Sequence, residues 1–188
     1  MSDQNVRRAA LVAALLALPV ALVAGLVSFW ALGGFHGGSP RPAASNPRPA
    51  STAPVSMPAP SLNRRQSTVC LALTSQLPAK LRDLPQRPVT AGAEQNAAYG
   101  DPPITVACGA GPRPSVPPDA TVYRLSNVCW YPVERPDATV WTTLDREVPV
   151  TVTVPRQYDQ AGQWVIEFSA PVVAAVPAIK DVPSGCHG

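Results

Sequence analysis

Twenty-four consecutive residues, Ala9–Leu32, carry no charged side chain (AALVAALLALPVALVAGLVSFWAL). As a helix rising about 1.5 Å per residue the run would be roughly 36 Å long, enough to cross a hydrocarbon core of about 30 Å with some tilt. Backbone amides in lipid must pair within the segment, so the run is expected to be a transmembrane helix, with Pro19 as a tolerated kink. Phe29 and Trp30 fall at its far end, where aromatic rings favour the interface. A buried core helix is the blander reading, and a long apolar run at the start of a small protein disfavours it. A cleaved signal peptide is the other alternative. The run exceeds the roughly 7–15 residues of a signal hydrophobic region and no Ala-x-Ala site follows it, so the reading adopted is an uncleaved anchor. Orientation is nearly balanced, with Arg7 and Arg8 on one side and Arg41 and Arg48 on the other.

Residues 33–66 contain seven Pro and four Gly and show no hydrophobic period. Such a segment buries too little apolar surface to offset chain entropy, and its prolines favour extended conformations. It reads as a disordered tether. The organisation expected is a cytoplasmic tail over 1–8, the transmembrane helix over 9–32, the linker over 33–66 and a folded domain over 67–188. Charge follows this division. Residues 1–66 hold six Arg and one Asp, while residues 67–188 hold nine basic and eleven acidic residues. A mildly acidic domain without a basic stripe argues against nucleic acid as a partner.

All four cysteines, Cys70, Cys108, Cys129 and Cys186, lie beyond the linker. An even number in a small domain behind a membrane segment reads as two disulfides in an oxidising compartment. That places the domain outside the cytoplasm and settles the orientation. No two cysteines are close enough for a CxxC redox or zinc motif. Three pairings are open. The one favoured joins Cys108 to Cys129 across a short loop, and Cys70 to Cys186 across the ends of the domain.

Hydrophobic spacing predicts an α+β domain with an antiparallel sheet and one or two short helices. Ser67–Gln76 shows helical spacing at Val69, Leu73 and Leu77, with Ser67 or Thr68 as cap. Pro78 would open a further helical turn through Leu84. Ile104–Cys108, Thr121–Leu125 and Val128–Tyr131 are short strands. Ala138–Leu144 alternates, with Val140, Thr142 and Leu144 on one face. Val148, Val150, Val152 and Val154 alternate with Pro149, Thr151 and Thr153, the pattern of a sheet with one buried face. Asp145-Arg146 would close these two segments into a hairpin. Pro149 and Pro155 suggest that its second strand is an edge or begins there. Trp164–Phe168 would be the last strand, and Pro171–Ile179 a short helix.

Motifs of catalysis are missing. No His lies between residues 37 and 186, and there is no HExxH, GxSxG or phosphate-binding loop. The carboxylates are scattered without ligand spacing. No catalytic residue, metal or cofactor is therefore assigned. The aromatic residues Trp130, Trp141 and Trp164 read first as core, with an exposed groove for a glycan or a partner chain as the alternative. Tyr99-Gly100-Asp101-Pro102-Pro103 reads as a rigid turn, with recognition as its second reading. Tyr99, Asp101 and Trp141 are thus the candidate binding surface.

The order of several motifs carries a resemblance. Cys70 and Leu77-Pro78 come first, then Tyr99-Gly100-Asp101-Pro102-Pro103-Ile104, Cys108-Gly109, Cys129-Trp130, Thr142–Arg146 and Val150–Pro155. This resembles an uncharacterised family of small, membrane-anchored actinobacterial envelope proteins. In that family Trp often precedes Gly-Asp-Pro, where this chain has Tyr99. The resemblance implies a cell-envelope location and no activity. A non-enzymatic interaction or scaffold module, anchored by one span and contacting an envelope protein or the wall, is the expected function. The alternative is a small envelope hydrolase or a glycan- or lipid-binding accessory protein.

Overall fold

The computed structural model describes residues 51–187 together with Val27. The expected cytoplasmic tail, transmembrane helix and most of the linker lie outside the described residues. Among those described, no helix is long and apolar enough to cross a membrane.

Eight strands form an antiparallel sheet. They are β1 (Lys80–Leu81), β2 (Leu84–Arg87), β3 (Asn96–Tyr99), β4 (Ile104–Cys108), β5 (Tyr123–Leu125), β6 (Val128–Glu134), β7 (Ala138–Thr143) and β8 (Val150–Pro155). Their spatial order is β1-β2-β3-β4-β8-β7-β6-β5. The sheet is thus two four-strand meanders joined where β8 pairs with β4, as in Val106 opposite Val152. The valine alternation expected of β8 is present: Val150, Val152 and Val154 are buried and the residues between them half-buried. The edge-strand reading of β8 is corrected, because β8 lies at the centre of the sheet. Its prolines are accommodated because Pro149 precedes the strand and Pro155 is its last residue. On β7 Ala138, Thr139, Trp141 and Thr143 are buried; of the residues expected to share one face, Val140 and Thr142 are half-buried and Leu144, just past the strand, is buried.

Helices cover one face. α1 (Arg64–Gln76) begins at Asn63, whose side chain accepts from Gln66 N at 2.9 Å while Gln66 Oε1 accepts from Asn63 N at 3.0 Å. This reciprocal cap satisfies two orphan donors and starts the helix three residues before Ser67. After β8 come α2 (Ala161–Val165), a 3-10 turn (Ile166–Phe168) and α3 (Ser169–Ala175). The strand expected over Trp164–Phe168 is therefore helical. Its reason lies in the longer pattern: Val165, Phe168, Ser169, Val172 and Val176 are all buried, a spacing of three and four that suits a helix face. Pro171 sits in the first turn of α3, where its missing N–H costs nothing. The further helical turn expected after Pro78 is instead the β1–β2 hairpin. Val69 and Leu73 of α1 join these residues in one core with Tyr99, Ile104, Val106 and Trp130.

The folded part starts earlier than position 67. Val55 and Met57 are buried against Ala98 on the other face of the sheet, with Val89 and Ala107 beside them. Val55 bridges Val89 in parallel, with Val55 N donating to Pro88 O at 2.8 Å and Thr90 N to Val55 O at 2.9 Å. Arg87 donates to Ala53 O, and Asn96 Nδ2 to Pro58 O at 2.9 Å. Residues 51–60 are thus a strap, whose proline-rich composition hides two apolar anchors.

Two disulfides close the domain, with a pairing other than the one expected. Cys70 of α1 joins Cys108 of β4, and Cys129 of β6 joins Cys186. Alternation explains the correction. Cys108 faces the helices, whereas Cys129 lies on the opposite face from Trp130 and packs with Leu144 and Cys186. A Cys108–Cys129 bond would have to cross the sheet.

Candidate functional site

A cavity of about 660 Å³ opens beside the helices at the β5–β6–β7 end of the sheet. Alternation on two strands supplies its aromatic wall. Trp141 of β7 faces the helix side with Thr139, and Tyr123 of β5, opposite Trp130 in register, faces the same way. Their rings meet at 5.4 Å and 58°. Tyr123 is 44% exposed, while Trp141 is 6% exposed and its indole N–H has no acceptor. A buried donor left unpaired costs about 1–3 kcal/mol.

The opposite wall is the turn between β8 and α2. Gln160 adopts φ 54°, a left-handed turn that sends the chain back over the sheet, and Gln163 N donates to Gln160 O at 2.8 Å. Gly162 then lies against Trp141: a methyl group there would touch Cη2 at 3.5 Å. Three contacts brace the turn from behind. Tyr158 Oη donates to Pro102 O at 2.7 Å, Tyr158 packs edge-on against Trp164 at 5.0 Å, and the Arg82 guanidinium stacks 4.6 Å above Trp164. Burial, with the charges of Asp101 and Asp83, raises the Tyr158 phenol above its ordinary value, so it remains a donor at neutral pH.

The polar rim is made of Glu134, Arg156, Asp159, Gln160 and Gln163. Arg156 donates twice to Arg135 O, at 2.9 and 2.7 Å, and lies 3.4 Å from Glu134. Thr139 Oγ1 donates to the same carboxylate at 3.0 Å. Glu134 and Arg156 are therefore fixed, and Asp159 supplies the remaining charge. Among the described residues no group of three or more His, Cys, Asp or Glu could share a metal ion.

The three residues of the expected binding surface separate. Trp141 forms the cavity wall. Tyr99 is fully buried, donates from Oη to Pro78 O at 2.9 Å and packs against Phe168 at 5.8 Å. Its place in a surface is corrected: Tyr99 ends β3 facing the helices, so it belongs to the core. Asp101 is exposed, 3.6 Å from Arg87, and does not line the cavity. The turn holding it is a structural device, with a cis Asp101–Pro102 bond and Gly100 at φ 71°. A side chain at Gly100 would collide with Leu84 and Tyr158. Sequence reasoning missed Tyr123, Arg156 and the Tyr158–Gln163 turn. The clustering of amides and aromatics in YDQAGQW was the available signal.

These features define a small, disulfide-closed α+β domain with helices on one face of an antiparallel sheet and an aromatic cavity at their edge. The chain belongs to the family of proteins of unknown function DUF3515, which matches residues 16–180. No curated protein and no solved structure matches the chain.

Proposed function

We propose that the protein is a membrane-tethered, extracytoplasmic and non-enzymatic binding module of the cell envelope, anchored by Ala9–Leu32 through a single span. The observation that carries this reading is the pair of disulfides in a domain that follows an uncharged run of spanning length. Residues 33–50 serve as a spacer between bilayer and domain. The partner is an envelope protein or the wall itself. The sequence resemblance to actinobacterial envelope proteins points the same way.

A second reading, that of an accessory protein binding a small ligand, draws on the cavity at Trp141. A hydrolase is less well supported. Of the cavity's carboxylates Glu134 and Asp159, the first is already engaged by Thr139 and Arg156. The test of the main reading is proximity labelling in cells with the label on the C-terminus. Envelope proteins should be labelled. Labelling of cytoplasmic proteins alone would overturn it.

A further inference from the structure

We propose that the cavity between Trp141, Tyr123 and the β8–α2 turn binds a neutral, polyhydroxylated ligand, a glycan segment. The inference rests on the reading of the domain as a binding module. It narrows that reading to a ligand class and a site.

Its volume of about 660 Å³ lies within the roughly 300–1,000 Å³ of small-molecule sites. The chemistry of the lining selects among ligands. The exposed ring of Tyr123, set at an angle on the buried Trp141, offers an electron-rich face to polarised C–H groups, which a pyranose presents on one side of its ring. The rim offers both kinds of partner a hydroxyl needs, with an acceptor on Asp159 and donors and acceptors on Gln160 and Gln163.

Other ligand classes fit less well. A phosphate or polyanion would meet one guanidinium and two carboxylates, and that guanidinium is held by Arg135 O and Glu134. An acyl chain would have to lie against amides and carboxylates, leaving them unpaired. A cationic ammonium suits the aromatic rings. With Glu134 committed to Arg156 and Thr139, however, it would find only Asp159. A neutral ligand can use the Tyr123 ring together with Asp159, Gln160 and Gln163. The bracing of Tyr158 and Trp164 holds the turn in place beforehand, so little ordering is needed on binding.

The experiment uses the full-length protein in detergent and saturation-transfer NMR. The probes are linear neutral hexasaccharides of glucose, mannose, galactose, arabinose and N-acetylglucosamine, with choline and inorganic phosphate as contrasts. At least one hexasaccharide should receive saturation, strongest at ring C–H protons, and should alter tryptophan fluorescence. Tyr123→Ala, at an exposed position, should weaken that binding at least tenfold with an unchanged melting temperature. Gly162→Leu, which projects a side chain toward the Trp141 ring, should abolish it. Saturation of choline or phosphate but of no hexasaccharide would overturn the proposal, as would glycan binding indifferent to both variants. Failure of every glycan while proximity labelling still finds envelope proteins would sink this inference alone. Failure of the labelling would sink the reading beneath it.

Discussion

Single side chains in this domain do work that their sequence neighbourhood disguises. Tyr99 looks like the tip of a recognition turn, yet burial pushes its phenol up to about 12. A phenol is neutral when protonated, so the unfolded chain ionises first as pH rises. Stability from this group is therefore full below about pH 10 and falls between about pH 10 and 12, by roughly 2–3 kcal/mol. Tyr99→Phe should lose about 1 kcal/mol at neutral pH, for the hydrogen bond to Pro78 O, and should show a smaller loss at high pH than the parent. Denaturant titrations at pH 8 and pH 11 measure both. Arg146 is a second case. In sequence, Asp145-Arg146 reads as the turn of a hairpin. In the fold Arg146 is buried, donates to Val176 O and Asn127 O, and pairs with Asp145 at 3.3 Å. Arg146→Ala should cost about 3–5 kcal/mol because it strands a carboxylate and two carbonyls. Thermal unfolding would show it, and a loss under 1 kcal/mol would mean that water replaces the guanidinium.

Elements were legible where one period ran without competition. The valines of β8 and the short run of β4 fall where alternation puts them, because a half-buried strand leaves a direct trace in the sequence. The helices were harder. Arg64, Arg65 and Gln66 look like the end of a polar tether, so the cap at Asn63 passed unseen. Asn63→Ala should lower stability by about 1 kcal/mol, read from the denaturant midpoint, with the disulfides intact. Trp164–Phe168 has strand-like composition over five residues, and only the spacing carried on to Val176 reveals the helix. Half of the aromatic cavity was visible as Trp141. The other half was not, because the packing of Tyr123 beside Trp141 depends on the β5–β6–β7 register, which no local pattern encodes.

On the scale of the whole molecule, composition misplaced a boundary. A proline-rich stretch reads as spacer, and residues 51–60 share that composition while two of their side chains, Val55 and Met57, are buried. A protein beginning at Ser67 should accordingly be less stable than one beginning at Ser51 by several kcal/mol, since it loses both anchors and the helix cap. Equal melting temperatures for the two would show the strap to be dispensable. A C-terminal alkaline phosphatase fusion tests the proposed topology. The fusion should be active, and an inactive one would contradict both the proposed orientation and the disulfides.

The connectivity of those disulfides has a consequence for biogenesis. The first cysteine pairs with the second and the third with the fourth, so the two closed loops follow one another along the chain without overlapping. Each loop, of 38 and 57 residues' separation, restricts the unfolded chain by about 4 kcal/mol in the entropy model. A polypeptide that emerges N-terminus first presents Cys70 and Cys108 before Cys129 appears. Oxidation in order of emergence would then yield the native bonds directly. On that order of oxidation the thiols would need an oxidant and little disulfide reshuffling.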